Sequence, residues 1–421
     1  MTAAATAHAH THSHASSAEV RARLNHPIVD CDGHMLEHVP VFLDFLKETA
    51  GPDMVAHYLK CSREGKNGRW YALSPEERKI HRPARPPFWG IPSGNTLDRA
   101  TSMLPGLLRE RLDELGLDFT IVYPTLGFFL FDEPEEDVRR ACCRAQNAMV
   151  SELYRDHADR MTPAASIPMF TPAEAIEELE YSVNELDLKV AMIASLVHRP
   201  LDTVKGDDPT LRDFAYWIDN LSLDSQYDYD PFWAKCMELG IAPTAHSFMQ
   251  GHGARRSISN YMYNQIGHFA DAGETFAKAL FFGGVTRRFP DLNFGVLEGG
   301  VGWAASLFCT LVEVWGKRGY PAIENLDPAR LDLEQLEGLF SRYGGKRFSG
   351  STGNVAGLGY SALSADAVPR EADLALMDDF AACGIEKAED IVDLFAEPIY
   401  FGCEADDKLT GVACSGKALP F

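Results

Sequence analysis

The stretch Ile28-Val29-Asp30-Cys31-Asp32-Gly33-His34 decides how this chain is read. Two apolar residues lead into polar ones at alternate positions, Asp30, Asp32 and His34. Side chains of a β-strand alternate between its faces, so these three project to one side. A carboxylate and an imidazole two residues apart at a strand end are able to grip one divalent cation. The same run also reads as a strand passing into a polar turn. The rest of the chain must choose between a metal site and that plainer structure.

With 421 residues and 46% hydrophobic content, the chain has material for a large buried core, in one big α/β domain or two smaller ones. Its net charge of -22 and pI of about 5.0 repel phosphate backbones, which argues against nucleic acid as a partner. No apolar run reaches the length of a membrane span, so no membrane partner is expected. Residues 2–18 are all Ala, Thr, Ser or His, and the first 20 lack the apolar centre of a signal peptide. Nine cysteines, scattered and without a C-x-x-C pair, fit reduced thiols in a cytoplasm better than a disulfide framework. Residues 1–20, with His8, His10, His12 and His14 among small residues, are expected to be a disordered tail that holds metal weakly at most.

Beyond the tail, short apolar runs alternate with longer amphipathic ones. Strands are expected at Ile28–Cys31, Phe119–Tyr123, Ala164–Ile167, Val190–Ile193, Ile241–Thr244, Phe294–Leu297 and Ile399–Gly402. Helical patterns fill most gaps, as at Glu135–Tyr154, Pro172–Asn184, Phe232–Leu239 and Glu274–Phe282. This alternation predicts a parallel sheet. Three intervals exceed what one helix needs: about 46–110, rich in Pro, Gly and aromatics, about 196–231, and the mostly helical 303–395. Long loops of the first two kinds often form lids or pocket walls, and Phe88-Trp89 is a candidate lid over an apolar substrate or, equally, simple packing at the mouth of the site.

The strand ends carry the chemistry. The fifth predicted strand runs into His246, the sixth into Glu298-Gly299-Gly300, and the seventh into Cys403-Glu404-Ala405-Asp406-Asp407. With the first strand, four of the seven expected strands end in a metal-ligand type of residue. In a (β/α)8 barrel the active site is built at that C-terminal edge.

The chain resembles the amidohydrolase superfamily, in particular the amidohydrolase-related group that includes metal-dependent decarboxylases and hydratases. The matching pieces are Val29-Asp30-Cys31-Asp32-Gly33-His34, His246, Glu298-Gly299-Gly300-Val301-Gly302-Trp303 and Phe401-Gly402-Cys403-Glu404-Ala405-Asp406-Asp407. The most specific is Phe281-Phe282-Gly283-Gly284-Val285-Thr286-Arg287-Arg288-Phe289-Pro290-Asp291-Leu292. The resemblance implies a TIM-type barrel carrying a metal above its C-terminal face. It places metal ligands at Asp32, His34 and His246, with Asp30 fixing the strand end or supporting a ligand. Glu298 stands where decarboxylases of the group usually carry a histidine, and would act as a general base or bind a second cation. His268 would be a ligand to a second metal, a substrate contact or a polar residue at a helix start. Arg255 and Arg256, following His252, would hold a substrate carboxylate, or line a solvated loop. A set of imidazoles and carboxylates without thiolates suits Zn²⁺, Mn²⁺ or Fe²⁺.

One family feature is missing from this reading. The family's eighth strand ends in a metal-binding aspartate, but only Lys408–Phe421 follow Asp407. Thr410–Cys414 would make a strand stub without such an aspartate. Three accounts are open: a truncated chain, a barrel completed by another chain, or replacement of the ligand by Glu404, Asp406 or Asp407. Two open sheet edges favour association, so a homo- or hetero-oligomer is expected. The expected fold is therefore α/β: a (β/α)8 TIM-type barrel domain over 21–421, with long insertions and the eighth strand missing or atypical. The expected function is a metal-dependent hydrolase or lyase acting on a small organic molecule. The alternatives are a dinuclear Fe/Mn centre that activates O₂, and a non-catalytic partner subunit.

Overall fold

A computed structural model describes residues 15–64, 66–87, 94–125, 127–201, 203, 204, 211, 214–246, 252–327, 330–348, 378–404, 406–415, 419 and 420. The tail histidines His8 to His14 and the candidate lid Phe88-Trp89 lie outside the described residues.

All seven expected strands form. They are β1 (Val29–Met35), β2 (Phe119–Pro124), β3 (Met161–Ile167), β4 (Val190–Ile193), β7 (Pro243–Ala245), β8 (Phe294–Val296) and β9 (Ile399–Phe401). Every neighbouring pair is parallel, in the order β1-β2-β3-β4-β7-β8-β9. Two further strands, β5 (Val197–Pro200) and β6 (Tyr216–Asp219), make a separate antiparallel pair inside the 196–231 interval. The helices that position the site are α1 (Val39–Ala50), α2 (Pro52–Glu64), α3 (Glu136–Tyr154), α4 (Pro172–Asn184), α5 (Asp230–Leu239), α6 (His268–Phe282) and α7 (Gly302–Arg318).

The sheet curls. In a flat sheet β1 and β7, four spacings apart, would be separated by about 19 Å. Instead His34 Nε2 at the end of β1 lies 3.1 Å from His246 Nε2 after β7. Tyr123 Oη on β2 likewise reaches Thr244 Oγ1 on β7, at 3.1 Å. The result is an open barrel of α/β type. Among the described residues no strand joins β9 to β1, so the eighth position is not filled.

Buried faces of α3, α4, α5 and α6 cover the sheet. Leu46, Val122, Met149, Ile167, Phe232, Trp233, Phe276 and Phe294 lie in one continuous apolar core. Its buried charges and an asparagine are paired. Arg139 pairs with Glu174 at 2.8 Å, both almost fully buried. Asn147 on α3 joins Ser166 of β3 to Glu178 and Ser182 of α4. A buried ion pair is retained where each charge has further hydrogen bonds, and Glu174 Oε1 accepts from the Phe170 and Thr171 amides as well.

Three expectations are corrected. The 46–110 interval is largely helical, not a loop. Ser74 and Glu77 form a reciprocal cap, and Asn95 accepts from the Asp98 amide, which starts helices in that interval. Helix α6 begins at His268, six residues before the expected start, because Gly267 adopts φ +77 and supplies the turn before it. Thr410–Ala413 is a short helix, not a strand stub. The Asp407 carboxylate accepts from the Leu409 and Val301 amides, which folds the chain back at that point.

Candidate metal centre

The strand β1 carries an irregularity where the sequence reading assumed strict alternation. Asp30 faces Thr120 and Gly33 faces Val122, so β1 uses one extra residue between them. Asp30 Oδ1 accepts from the Asp32 amide at 3.0 Å and holds this bulge. A Cβ on Gly33 would lie 2.5 Å from Thr120 Oγ1 and 2.9 Å from Ile121 O, so the bulge needs glycine there. It aims Asp32 and His34 at the same point.

Three strand ends meet at that point. Asp32 Oδ1 is 3.7 Å from His34 Nε2 and 3.8 Å from His246 Nε2. Glu298 Oε2, after β8, is 3.0 Å from His246 Nε2 and 3.9 Å from His34 Nε2. Asp32, His34 and His246 offer ligand atoms that all lie within 4.8 Å of one another. Phe128, on the turn after β2, packs its ring 4.2 Å from the His246 ring and 5.5 Å from that of His34. The buried Glu37 carboxylate anchors this turn through the Thr125 and Gly127 amides. His246 is fully buried, while Asp32, His34 and Glu298 remain partly open, which leaves a mouth for a small molecule.

The electrostatics fit a cation. Burial, then the Glu298, Glu404 and Asp30 carboxylates, push the Asp32 carboxyl up to about 8. Burial also raises Glu298. His34, buried and facing His246, is driven down to about 4, and His246 by burial to about 3. Both imidazoles are therefore neutral at pH 7, with lone pairs available. Only one proton fits between two nitrogens 3.1 Å apart, yet both point inward. Asp32 Oδ1 is buried with no hydrogen-bond partner. Two neutral imidazoles, an orphaned carboxyl oxygen and carboxyl groups crowded together without a counter-charge match the donor set of a divalent ion with N and O ligands.

Other nominated residues lie at differing distances from this point. His268 begins α6, buried, and its ring stacks at 3.8 Å on Phe269, which in turn packs 5.1 Å from His246. Burial, His246 and Arg255 lower it to about 3. Glu404 stands at the rim, its carboxyl raised by burial, Glu298, Asp406 and Asp30, and Asp406 is exposed beyond it. Arg255 bonds Asp271 at 3.1 Å and the Ile266 carbonyl at 2.7 Å. Arg256 bonds the Arg82 carbonyl at 2.9 Å and covers the Phe214 ring. His252 is buried, shares a 2.9 Å hydrogen bond with Tyr216 and stacks on His198. His252 and Arg255, with Met262, Tyr263, Ile266 and Asp271, border a cavity of about 540 Å³. None of Asp32, His34, His246 or Glu298 lines it.

Two clusters escaped the sequence reading. His198 of β5 bonds Asp132 at 2.5 Å, stacked on His252. On the outer surface, His57, Cys61 and Glu135 form a second group of close ligand types. The i, i+4 spacing of His57 and Cys61 was the only available sequence signal.

The amidohydrolase family's sequence profile matches residues 94–338, more than half of the chain, and the protein belongs to that family. No curated protein sequence matches it. Among solved structures it is similar to a 5-carboxyvanillate decarboxylase of Novosphingobium aromaticivorans complexed with manganese and a nitrobenzoic acid. Identity there is 14%, over 91% of this chain and 87% of that one, with a TM-score of 0.43. It is similar also to an amidohydrolase of Mycobacterium avium subsp. paratuberculosis, at 18% identity over 74% and 85% of the two chains and a TM-score of 0.46. A 2,6-dihydroxybenzoate decarboxylase of Rhizobium gives 18% over 88% and 96%, with a TM-score of 0.42.

Proposed function

We propose that the protein is a metal-dependent hydrolase or lyase, decarboxylase-like in chemistry, acting on a small organic molecule. The observation that carries this reading is the meeting of Asp32, His34 and His246 within 4.8 Å at the C-terminal edge of a parallel sheet. These three residues would hold a divalent ion, zinc, manganese or iron. When bound, such an ion acts as a Lewis acid that polarises a carbonyl or carboxylate oxygen and acidifies water.

The chain's own residues supply the rest. Glu298 Oε2, 3.0 Å from His246, takes a proton from the reacting group and returns it to the product. Its backbone sits at φ +59, a conformation rare outside glycine, which fixes the carboxylate toward the centre. Phe128 and Phe269 keep water from the imidazoles. Neutral His268 stands behind Phe269 as a reserve hydrogen-bonding group for substrate or for a proton. His252, Arg255 and Arg256 lie on the loop after His246 and orient an anionic substrate group from there.

A second reading has two cations. Glu298 and Glu404, which both bear electrostatically on Asp32, would hold the further ion, in the manner of a carboxylate-rich iron or manganese pair. We place the enzyme in the cytoplasm, a reading that its nine free thiols support. The barrel domain covers 21–421, and the edges of β1 and β9, unpaired by a strand among the described residues, favour a homo- or hetero-oligomer.

The test is elemental analysis of the dialysed chain beside His34→Ala and His246→Ala, followed by assays with small aromatic acids and esters. About one ion per chain, lost in both variants, supports the mononuclear reading, and two ions support the second. CO₂ release marks a lyase and acid release a hydrolase. A metal-free parent chain, inactive after divalent ions are supplied, overturns the proposal.

A further inference from the structure

A second, unrelated side-chain cluster sits on the outside of the barrel. His57 and Cys61 lie one turn apart on α2, so both face the same way. They face Glu135, the residue before α3. A residue there commonly caps its own helix, but the Glu135 side chain makes no capping bond. Instead Oε2 lies 2.7 Å from His57 Nε2, and Oε1 accepts from Cys61 Sγ at 3.8 Å. The amide of Glu135 is taken by Glu133, whose carboxylate also bears on Cys61. Glu64 adds a further negative charge nearby.

We propose that His57, Cys61 and Glu135 form a surface site for a divalent transition ion, zinc in first instance, that clips α2 to the start of α3. It is independent of the reading given for the centre at the sheet edge. One imidazole, one thiolate and one carboxylate, with a water as fourth ligand, is a zinc donor set. The geometry is close to what the ion needs. Bonds of about 2.3 Å to sulfur and 2.1 Å to oxygen at a tetrahedral angle put those atoms about 3.6 Å apart, and the thiol and carboxylate stand at 3.8 Å. The 2.7 Å nitrogen–oxygen pair has only to open by a fraction of an ångström, and both side chains are about half exposed. Burial and the Glu133 and Glu135 carboxylates raise the Cys61 thiol above its ordinary range, so the empty cluster keeps its proton. Binding releases that proton to solvent and leaves the thiolate on the ion. The clip would tie a helix of the 46–110 insertion to a helix of the barrel wall.

Cobalt(II) chloride is the probe, because a thiolate ligand gives an intense near-ultraviolet charge-transfer band and the sheet-edge cluster contains no cysteine. The full chain, reduced, is titrated with cobalt beside Cys61→Ser, His57→Ala and Cys31→Ser. The expected result is a band in the parent and in Cys31→Ser that is lost in Cys61→Ser, weakened in His57→Ala, and displaced by zinc. A second measurement needs no variant: zinc should slow alkylation of Cys61, read by peptide mass, while the exposed Cys309 is unaffected. No cobalt band in the parent, a band that survives Cys61→Ser, or equal labelling of Cys61 with and without zinc overturns the proposal.

Discussion

Two groups of three ligand types occur among the described residues, and they contrast in every physical respect. Asp32, His34 and His246 come from the ends of strands far apart in sequence, are held by a bulge and a packed phenylalanine, and leave polar atoms unsatisfied. His57, Cys61 and Glu135 stand at the surface, on and just before helices, and satisfy one another with hydrogen bonds. Removed from water, the inner group carries its frustration as neutral histidines and a carboxyl titrating near 8, which a cation would relieve. In water, the outer group has little to relieve, since an exposed pair is worth at most about 1 kcal/mol. The lesson is that burial, not ligand type, separates a group that a cation would relieve from one with little to gain from it.

The sharpest way to break this contrast is to remove an inner imidazole. His246→Ala should lower affinity for the bound ion by more than the 10–100-fold typical of a supporting residue, as measured by metal content after dialysis. Unchanged metal content would put the ion elsewhere. Next in size, Glu298→Gln should keep the ion but reduce turnover by about 10²–10⁴-fold, the range for a lost proton-transfer group. Gly33→Ala tests whether the bulge aims the ligands. Its Cβ would meet Thr120 Oγ1 at 2.5 Å, so destabilisation of about 1–3 kcal/mol in urea unfolding is expected. At Glu298 the opposite sign is expected for Glu298→Gly, which relieves the φ +59 backbone and a crowded carboxylate. It should stabilise the fold by about 1 kcal/mol while abolishing turnover, a trade seen only where strain serves a site. The smallest effect belongs to the outer group: without added metal, Cys61→Ser should change stability by less than about 0.5 kcal/mol.

Much of this architecture could be read from the chain because its strands are short apolar runs that stop at polar residues. Ile28–Cys31 and Phe294–Leu297 illustrate it, and the residues that end them, His34 and Glu298, meet in space. The β5–β6 pair was not legible. Val197–Pro200 holds a histidine, an arginine and a proline, and its partner starts 16 residues later, too far along the chain for a hairpin signal. The bulge in β1 was hidden too, since nothing in Cys31-Asp32 marks an extra residue until Thr120 is placed opposite. For Arg255 and Arg256 the sequence shows two guanidiniums on a loop, but not the carboxylate and carbonyls that they also bond. The structure gives Arg255 to Asp271 and Ile266, at the start of α6. The outer cluster depends on a residue 74 positions from Cys61, a separation that no local pattern records.

The distance along the chain between the two inner imidazoles has a consequence for how the protein is born. His34 and His246 are 212 residues apart. At ribosomal speeds of roughly 5–20 residues per second, the first waits about 10–40 s for the second to be synthesised. Five strands must then pair in order before the two nitrogens face each other, and such non-local pairing is slow. An ion that needs both imidazoles would therefore be captured only after these five strands have met, and could not template their pairing. Metal would reach a nascent chain whose first half already has its shape.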